Sequence, residues 1–198
     1  AGSGTTEVAE MIMGIKRPDN GSVEKDGKRL GLKNIRESMD AGIGYVPPDR
    51  RREGIIVNMT ISDNTILANL SSYQNKLTLD RKKAENRVMK AVERLRIKCV
   101  STSQEVLRLS GGNQQKVVLA KWLMANPKVL ILDNPTQGVD VGAKEDIYNI
   151  ILDLAKQNIA VVILSSEAQE IIRICNRAVV MYHGKIQDEL MPEEMTEE

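Results

Sequence analysis

Leu109-Ser110-Gly111-Gly112-Asn113-Gln114-Gln115-Lys116-Val117 is the most informative stretch of the chain, because a capping serine and two glycines stand directly before a helix-forming run. Ser110 is a strong N-cap residue, and the glycines let another molecule approach the first turn closely. The run over 114–124 predicts the helix. Free N–H groups at such a start, with the helix dipole behind them, make a seat for an anion. Taken alone, Ser-Gly-Gly before a helix is only a capped turn. Its continuation gives it weight. Lys121-Trp122-Leu123-Met124 leads to the breaker Asn126-Pro127, and then to Val129-Leu130-Ile131-Leu132-Asp133, an apolar strand ending in a carboxylate.

Downstream of that strand, residues 141–157 predict a helix with Ile147, Ile150, Ile151 and Leu154 turned inward. A fully apolar strand at 159–164, a helix at 168–174 and a strand at 178–182 follow, and His183-Gly184 turns the chain into 185–187. Residues 189–198 are acidic and poor in apolar side chains and are expected to fray. Upstream, Asp80 caps a predicted helix over 81–97 with Val88, Ala91, Val92 and Leu95 as its stripe, and Ser62 caps another running to about 70. A short helix at 35–41 and a buried strand at 43–46 are stopped by Pro47-Pro48. Pro18-Asp19-Asn20-Gly21 is a turn, and Asp26-Gly27 centres a small hairpin. At the start, Gly2-Ser3-Gly4-Thr5-Thr6-Glu7 opens straight into a helical pattern with Val8, Met11 and Ile12 on one face. A phosphate loop needs a strand before it and none precedes Ala1, so the chain is expected to be a fragment or to lack an N-terminal stretch. No internal repeat is evident. Strands alternating with helices imply a parallel sheet covered on both faces.

Two segments carry a family resemblance. Residues 109–117 resemble the signature motif of ABC-transporter nucleotide-binding domains, in the form typical of bacterial sugar importers. Residues 129–144 (VLILDNPTQGVDVGAK) resemble the Walker B and D-loop segment of the same family. The resemblance runs from Gly2 to about Leu190, and it is narrower still to the second, C-terminal half of tandem sugar-import ATPases of the ribose, galactose and xylose type. It implies a P-loop NTPase fold: an α/β ABC-type ATPase core (1–48 and 99–190) with a small antiparallel β part, a helical subdomain (49–98) and the acidic tail (191–198).

The resemblance also assigns roles. Gly2, Ser3, Gly4, Thr5, Thr6 and Glu7 fall at the end of the Walker A loop, with Gly4 as its second glycine and Thr6 as the hydroxyl that binds Mg²⁺. Alone, such a Gly/Ser/Thr string reads as flexible linker. Thr5 occupies the lysine position and departs also from the arginine common in the importers' second halves, so the loop offers no cation and nucleotide is expected to bind weakly or not at all. Asp133, at a strand end, is the Walker B carboxylate that holds Mg²⁺. Asn134 stands where hydrolytic members have a glutamate, and an amide cannot take a proton from water. Pro48 replaces the Q-loop oxygen, although the neighbouring Asp49 can partly compensate. Ser166 replaces the switch histidine, and His183 reads as a solvated turn residue. Four missing groups make an inert site the simplest reading.

The signature, by contrast, keeps Ser110, Gly111, Gly112 and Asn113. In this family two domains face head to tail, each nucleotide lying between one domain's Walker A and the other's signature. Ser110, Gly111 and Gly112 are therefore expected to act on a partner's ATP, and Asp140 resembles the D-loop that crosses the same interface. The basic run Arg50 to Arg52 is either a solvated loop or part of the region that docks a transmembrane subunit. The implied partners are a second nucleotide-binding domain, a pair of transmembrane permease subunits and, indirectly, a sugar-binding protein, placing the chain peripherally at the cytoplasmic face of the membrane. A self-sufficient homodimeric ATPase, with Asp49 or Glu167 replacing missing groups, and a soluble ABC-type ATPase of repair or translation are the alternatives.

Composition narrows the field further. The 198 residues suit one domain, or one domain with a subdomain. With a net charge of +1 and 3% aromatic residues, neither a basic patch nor a stacking platform points to nucleic acid. There is no Phe and one Trp, so the core is aliphatic. Cys99 and Cys175 are isolated and lack metal-ligand spacing, so reduced thiols are the default. No apolar run approaches the ~20 residues of a spanning helix.

Overall fold

The computed structural model describes residues 2–31, 33–74 and 78–196; Ala1 and the last two residues of the acidic tail lie outside them. Helix α1 (Thr5–Ile12) leads to a hairpin of β1 (Val23–Lys25) and β2 (Lys28–Leu30), then to α2 (Ile35–Asp40) and β3 (Ile43–Val46). A helical stretch follows, with α3 (Ile61–Ile66), a 3-10 segment (Leu67–Tyr73) and α4 (Arg81–Arg94). The signature opens α5 (Gly111–Leu123), followed by β4 (Val129–Asp133), α6 (Val141–Lys156), β5 (Ala160–Leu164) and α7 (Ala168–Ile174). An antiparallel pair, β6 (Ala178–Tyr182) and β7 (Lys185–Leu190), closes the chain together with a 3-10 turn at Pro192–Glu194.

Three strands pair in parallel in the order β3-β4-β5. Their alternation separates two cores. Val46, Leu130 and Leu132 pack with Val117 and Val118 of α5 and with Ile147, Ile151 and Leu154 of α6. Ile43, Tyr45 and Ile131 face the other way, onto Ala9 and Met13. Both faces of β3 and β4 are thus covered, as near-continuous apolar strands require, whereas β5 at the margin keeps Ala160 and Val162 exposed. A third cluster, Tyr73, Ala84, Val88 and Met124, joins α4 to the end of α5. Backbone bonds from Ile61 to Gln104, from Val106 to Met59 and from Leu107 to Val57 tie the segment before α5 to the helical stretch, across the boundary drawn at 98.

Several local expectations are corrected. The buried face of α1 carries Ala9 and Met13, one helical repeat apart, whereas Val8 is exposed. The cap of α3 is Thr60 rather than Ser62: its hydroxyl accepts from the Asp63 N–H and donates to the Asp63 carboxylate. The helix ends at Ile66 and tightens into the 3-10 segment. Helix α4 stops at Arg94 because Arg96 turns left-handed, with φ 51°. Glu189 does not belong to a fraying tail, since β7 extends through Leu190 and pairs Glu189 with Val179. Met195 is buried, which anchors the segment beyond β7.

Among the described residues β5 pairs only with β4, and β6 only with β7. Val162, Val179 and Val180, on these strands, are exposed.

Lys121, on α5, is largely buried and donates to the Gly54 carbonyl at 2.5 Å, with no carboxylate partner among the described residues. Burial pushes its ammonium down to about 8 from 10.5. A lowered folded value means that burying the charge costs stability below about pH 8, and that the cost disappears as pH rises towards 10.5. The stability of the natural chain relative to Lys121→Met is therefore expected to improve between pH 7 and 10.5 by roughly 3 kcal/mol, at about 1.4 kcal/mol per pH unit of displacement. Parallel urea melts of the two proteins across that range check it, and a constant gap refutes it.

Candidate functional site

The phosphate-loop stretch and Asp133 are separated by the whole central sequence, yet the fold brings them together. Gly4 has φ 92° and forms the left-handed N-cap of α1 without a side-chain bond, so the first N–H groups of the helix remain open. Only glycine fits there, since a Cβ would stand 3.0 Å from the Gly184 Cα in the β6–β7 turn. The same turn holds the loop from behind, with Gly184 N–H donating to the Ser3 carbonyl at 2.9 Å.

Thr6 Oγ1 donates to Asp133 Oδ2 at 2.9 Å, joining the two expected Mg²⁺ ligands directly. Asp133 is fully buried at the end of β4. Its remaining partners are Tyr45 OH, donating to Oδ2 at 3.3 Å, and Asn134 Nδ2, donating to Oδ1 at 2.7 Å. Burial first, and then the Asp133 charge, raise the Tyr45 phenol far above its ordinary range, so it stays a donor. The paired hydroxyl and carboxylate oxygens are the donor type a hard cation takes, so Thr6 and Asp133 would hold Mg²⁺ if it bound. Among the described residues no group of three His, Cys, Asp or Glu side chains is placed to hold a metal.

The seat offers little positive charge. Thr5 Oγ1 lies 3.1 Å from Ser3 Oγ and brings no cation. Glu7 is exposed in the first turn of α1, where its carboxylate competes with an incoming anion for the dipole. Lys16, the nearest lysine in sequence, is paired with Glu10 at 2.5 Å. Asn134 sits left-handed at φ 47°, its side chain spent on Asp133. Ser166 is exposed between β5 and α7. Pro48 and Asp49 follow β3, and Asp49 caps the next turn by accepting from the Arg51 and Arg52 N–H groups at 3.1 Å each. Glu167 is held by Lys144 through both oxygens, at 3.0 and 2.7 Å.

The signature forms a second cluster. Among the described residues no hydrogen bond joins Ser110, Gly111, Gly112 or Asn113 to Gly2, Ser3, Gly4, Thr5, Thr6 or Glu7. Exposed Ser110 caps α5, its Oγ accepting from Asn113 N at 3.4 Å and from Asn113 Nδ2 at 2.9 Å. Asn113 Oδ1 in turn accepts from Lys98 N at 2.8 Å, which fixes the amide. A hydroxyl that accepts twice keeps its proton free to donate outward. Gly112 is buried against α6, and Asp140 caps that helix by accepting from Ala143 N at 2.9 Å. Sequence reasoning missed Tyr45 and the buried Thr136–Glu170 bond of 3.0 Å. The only signal for Tyr45 was its alternation with Ile43 on a strand.

Comparison with known proteins bears on the family and the fold. Residues 1–137 match the model of the ABC transporter family. A ribose import ATP-binding protein of Halalkalibacterium halodurans is 43% identical over 197 residues, covering all of this chain and 40% of that protein. A putative ribose/galactose/methyl galactoside import ATP-binding protein of Rhizobium meliloti is 47% identical, covering all of this chain and 39% of its own length. The chain thus spans about two fifths of these relatives. The structure superposes on the ADP conformation of an ABC transporter's ATP-binding cassette with TM-score 0.83 and 24% identity, covering 98% of this chain and 78% of the other. A dimeric post-hydrolysis cassette bound to ADP and phosphate gives 0.80 at 21% identity, covering 96% and 81%. At such identities the likeness shows the fold alone, an α/β P-loop ATPase core with small antiparallel sheets.

Proposed function

The chain belongs to the ABC transporter family, and from that premise we propose that it is the degenerate ATP-binding half of a monosaccharide importer, donating its signature to a partner's ATP. Relatives bearing ribose or galactose import names, at 43% and 47% identity over the full chain, support the transport role. The core at 1–48 and 99–190 carries the nucleotide-facing loops, and the helical subdomain at 49–98 meets a permease pair at the cytoplasmic face of the membrane. A sugar-binding protein supplies substrate from the other side. No described helix is long and apolar enough to cross a membrane.

One observation carries the degenerate reading: the Asn134 amide is donated to Asp133 at 2.7 Å, where a general base is required. If Mg²⁺ and nucleotide bind, Thr6 and Asp133 hold the metal, and the open N–H groups of α1 receive phosphate. The metal supplies charge neutralisation between phosphates. Asn134 orients Asp133 but takes no proton, and Ser110 donates its free hydroxyl proton to a γ-phosphate held by the partner. Asp49 and Glu167, the carboxylates available to a self-sufficient enzyme, are engaged by backbone N–H groups and by Lys144. That disfavours the homodimeric alternative.

Calorimetry of the purified chain with Mg-ATP tests the proposal. No tight site is expected, because Thr5 stands in place of the loop's cation and Glu7 adds a carboxylate in the first turn of α1. A dissociation constant in the low micromolar range, about −8 kcal/mol, together with turnover by the chain alone, refutes it.

A further inference from the structure

The stretch after β3 is more than a charged loop. Residues Arg50–Gly54 form one π-helical turn, closed by Ile55 N–H on the Arg50 carbonyl at 2.8 Å. Such turns are rare, and they concentrate at functional places. Asp49 fixes the turn's start, and Lys121 fixes its end through the Gly54 carbonyl. Held at both ends, the turn aims two arginines in different directions.

Arg50 points its guanidinium fork at the turn that follows β4. Nη1 donates to the Gln137 carbonyl at 2.7 Å, and Nη2 donates to the Gly138 carbonyl at 2.9 Å. The same fork lies against the first turn of α5, where a Cβ on Gly111 would stand only 2.7 Å from Arg50 Nη2. The Gly138 carbonyl is 3.0 Å from that same point, so loop, guanidinium and signature are stacked in contact. Arg51 goes to the body of α5, its Nε donating to Gln114 Oε1 at 3.2 Å. Gln114 passes the hold on, donating to the carbonyls of Val106 and Leu109 just ahead of Ser110. Among the described residues Arg50 Nε is buried without a partner, so the fork's two terminal nitrogens carry the contact.

We propose that Arg50 is a positioning residue for the nucleotide-facing surface: its fork sets the spacing between the signature, at Ser110 to Gly112, and the turn that carries Asp140. This rests on the reading of the signature as a donor to a partner's ATP. A planar fork spans two successive carbonyls, which a single ammonium cannot do. The clamp bears on closure of the two domains rather than on capture of ATP, because ATP is first held by the partner's phosphate loop. Loss of the clamp therefore lowers kcat and leaves KM for ATP nearly unchanged.

The test has two arms. In the first, hydrogen exchange of the chain by itself is compared for the natural protein, Arg50→Gln, Arg50→Lys and Lys156→Gln, an exposed charge on α6 whose side chain bonds Asp153. Exchange at Gln137, Val139 and Gln114, whose N–H groups are bonded to the Asn134, Thr136 and Ser110 carbonyls, is expected to quicken at least about tenfold in Arg50→Gln, less in Arg50→Lys and not in Lys156→Gln, with the β4 amides unchanged. Unchanged loop exchange in Arg50→Gln overturns the clamp, and faster β4 exchange shows a general loss of structure and overturns it too. In the second arm, ATP turnover of the assembled importer is measured against ATP concentration. A roughly tenfold fall in kcat for Arg50→Gln with KM within about threefold, partly recovered by Arg50→Lys, supports the proposal. Quickened loops with unchanged kcat overturn the positioning role, and so does a loss expressed wholly in KM. A Ser110→Arg importer that still turns over ATP normally fails the donor reading instead, while the exchange arm continues to report on the clamp.

Discussion

Ser110→Arg, tested in the assembled importer, is expected to remove most ATPase activity and uptake, by about 100-fold or more, whereas Thr5→Ala is expected to leave most of both. The exposed Ser110 hydroxyl accepts from Asn113 twice and keeps its own proton for an acceptor across an interface. Removing one preorganised donor from a developing anion costs on the order of 100-fold in rate. Arginine adds a second defect, because its volume stands where two domains must close. Its charge can favour phosphate in the ground state but does not shorten that gap. Loss of the N-cap costs about 1 kcal/mol of helix stability besides, so a melting curve must accompany the assay. Thr5 offers only a hydroxyl 3.1 Å from Ser3, in a loop with no cation to lose. Equal losses from the two substitutions, or a larger loss from Thr5→Ala, would place the chemistry in this chain's own site.

Gly112→Ala is expected to destabilise the chain by about 1–3 kcal/mol, the usual cost of overpacking a filled interior. A Cβ on Gly112 would stand 2.5 Å from the Ala143 Cβ, and neither methyl can rotate away. Helix α5 must then back off α6, carrying Ser110 with it and straining the cap that Asp140 makes to Ala143 N. In a chain of this size the loss corresponds to a fall of several degrees in Tm. Ala143→Gly removes the opposing methyl at a cost of about 1 kcal/mol in helix propensity. The double variant is therefore expected to be at least as stable as Gly112→Ala alone, although each change by itself destabilises. Strictly additive losses in thermal or urea melts would show that the two helices do not meet there.

Legibility followed the range of the interactions. Ser110 and Asp80 were readable because a cap and its helix are neighbours in sequence, and β4 was readable because a doubly buried strand has an unbroken apolar run. Where two caps competed, local reading failed: Ser62 is as good a cap as Thr60, and only the bond from Thr60 to Asp63 separates them. The pairing of Thr6 with Asp133 came from a resemblance rather than from the residues, since no local rule links positions 127 apart. Tyr45 and Arg50 lay beyond both routes. A tyrosine in an apolar strand looks like core, and the bonding partners of Arg50 are backbone carbonyls, which every sequence contains.

Among the described residues one margin of β5 and one of β6 are unpaired, with a consequence for the colloid rather than for the catalyst. Each presents a row of backbone donors and acceptors beside exposed valines, Val162 on one and Val179 and Val180 on the other. Such a margin is a template on which another extended chain can lay itself, and no lysine or proline within either strand blunts it. With a net charge of only +1, long-range repulsion does little to keep copies apart. Salt that screens the remaining charge therefore removes little protection, and protein concentration becomes the variable that governs how long a solution of this chain stays clear.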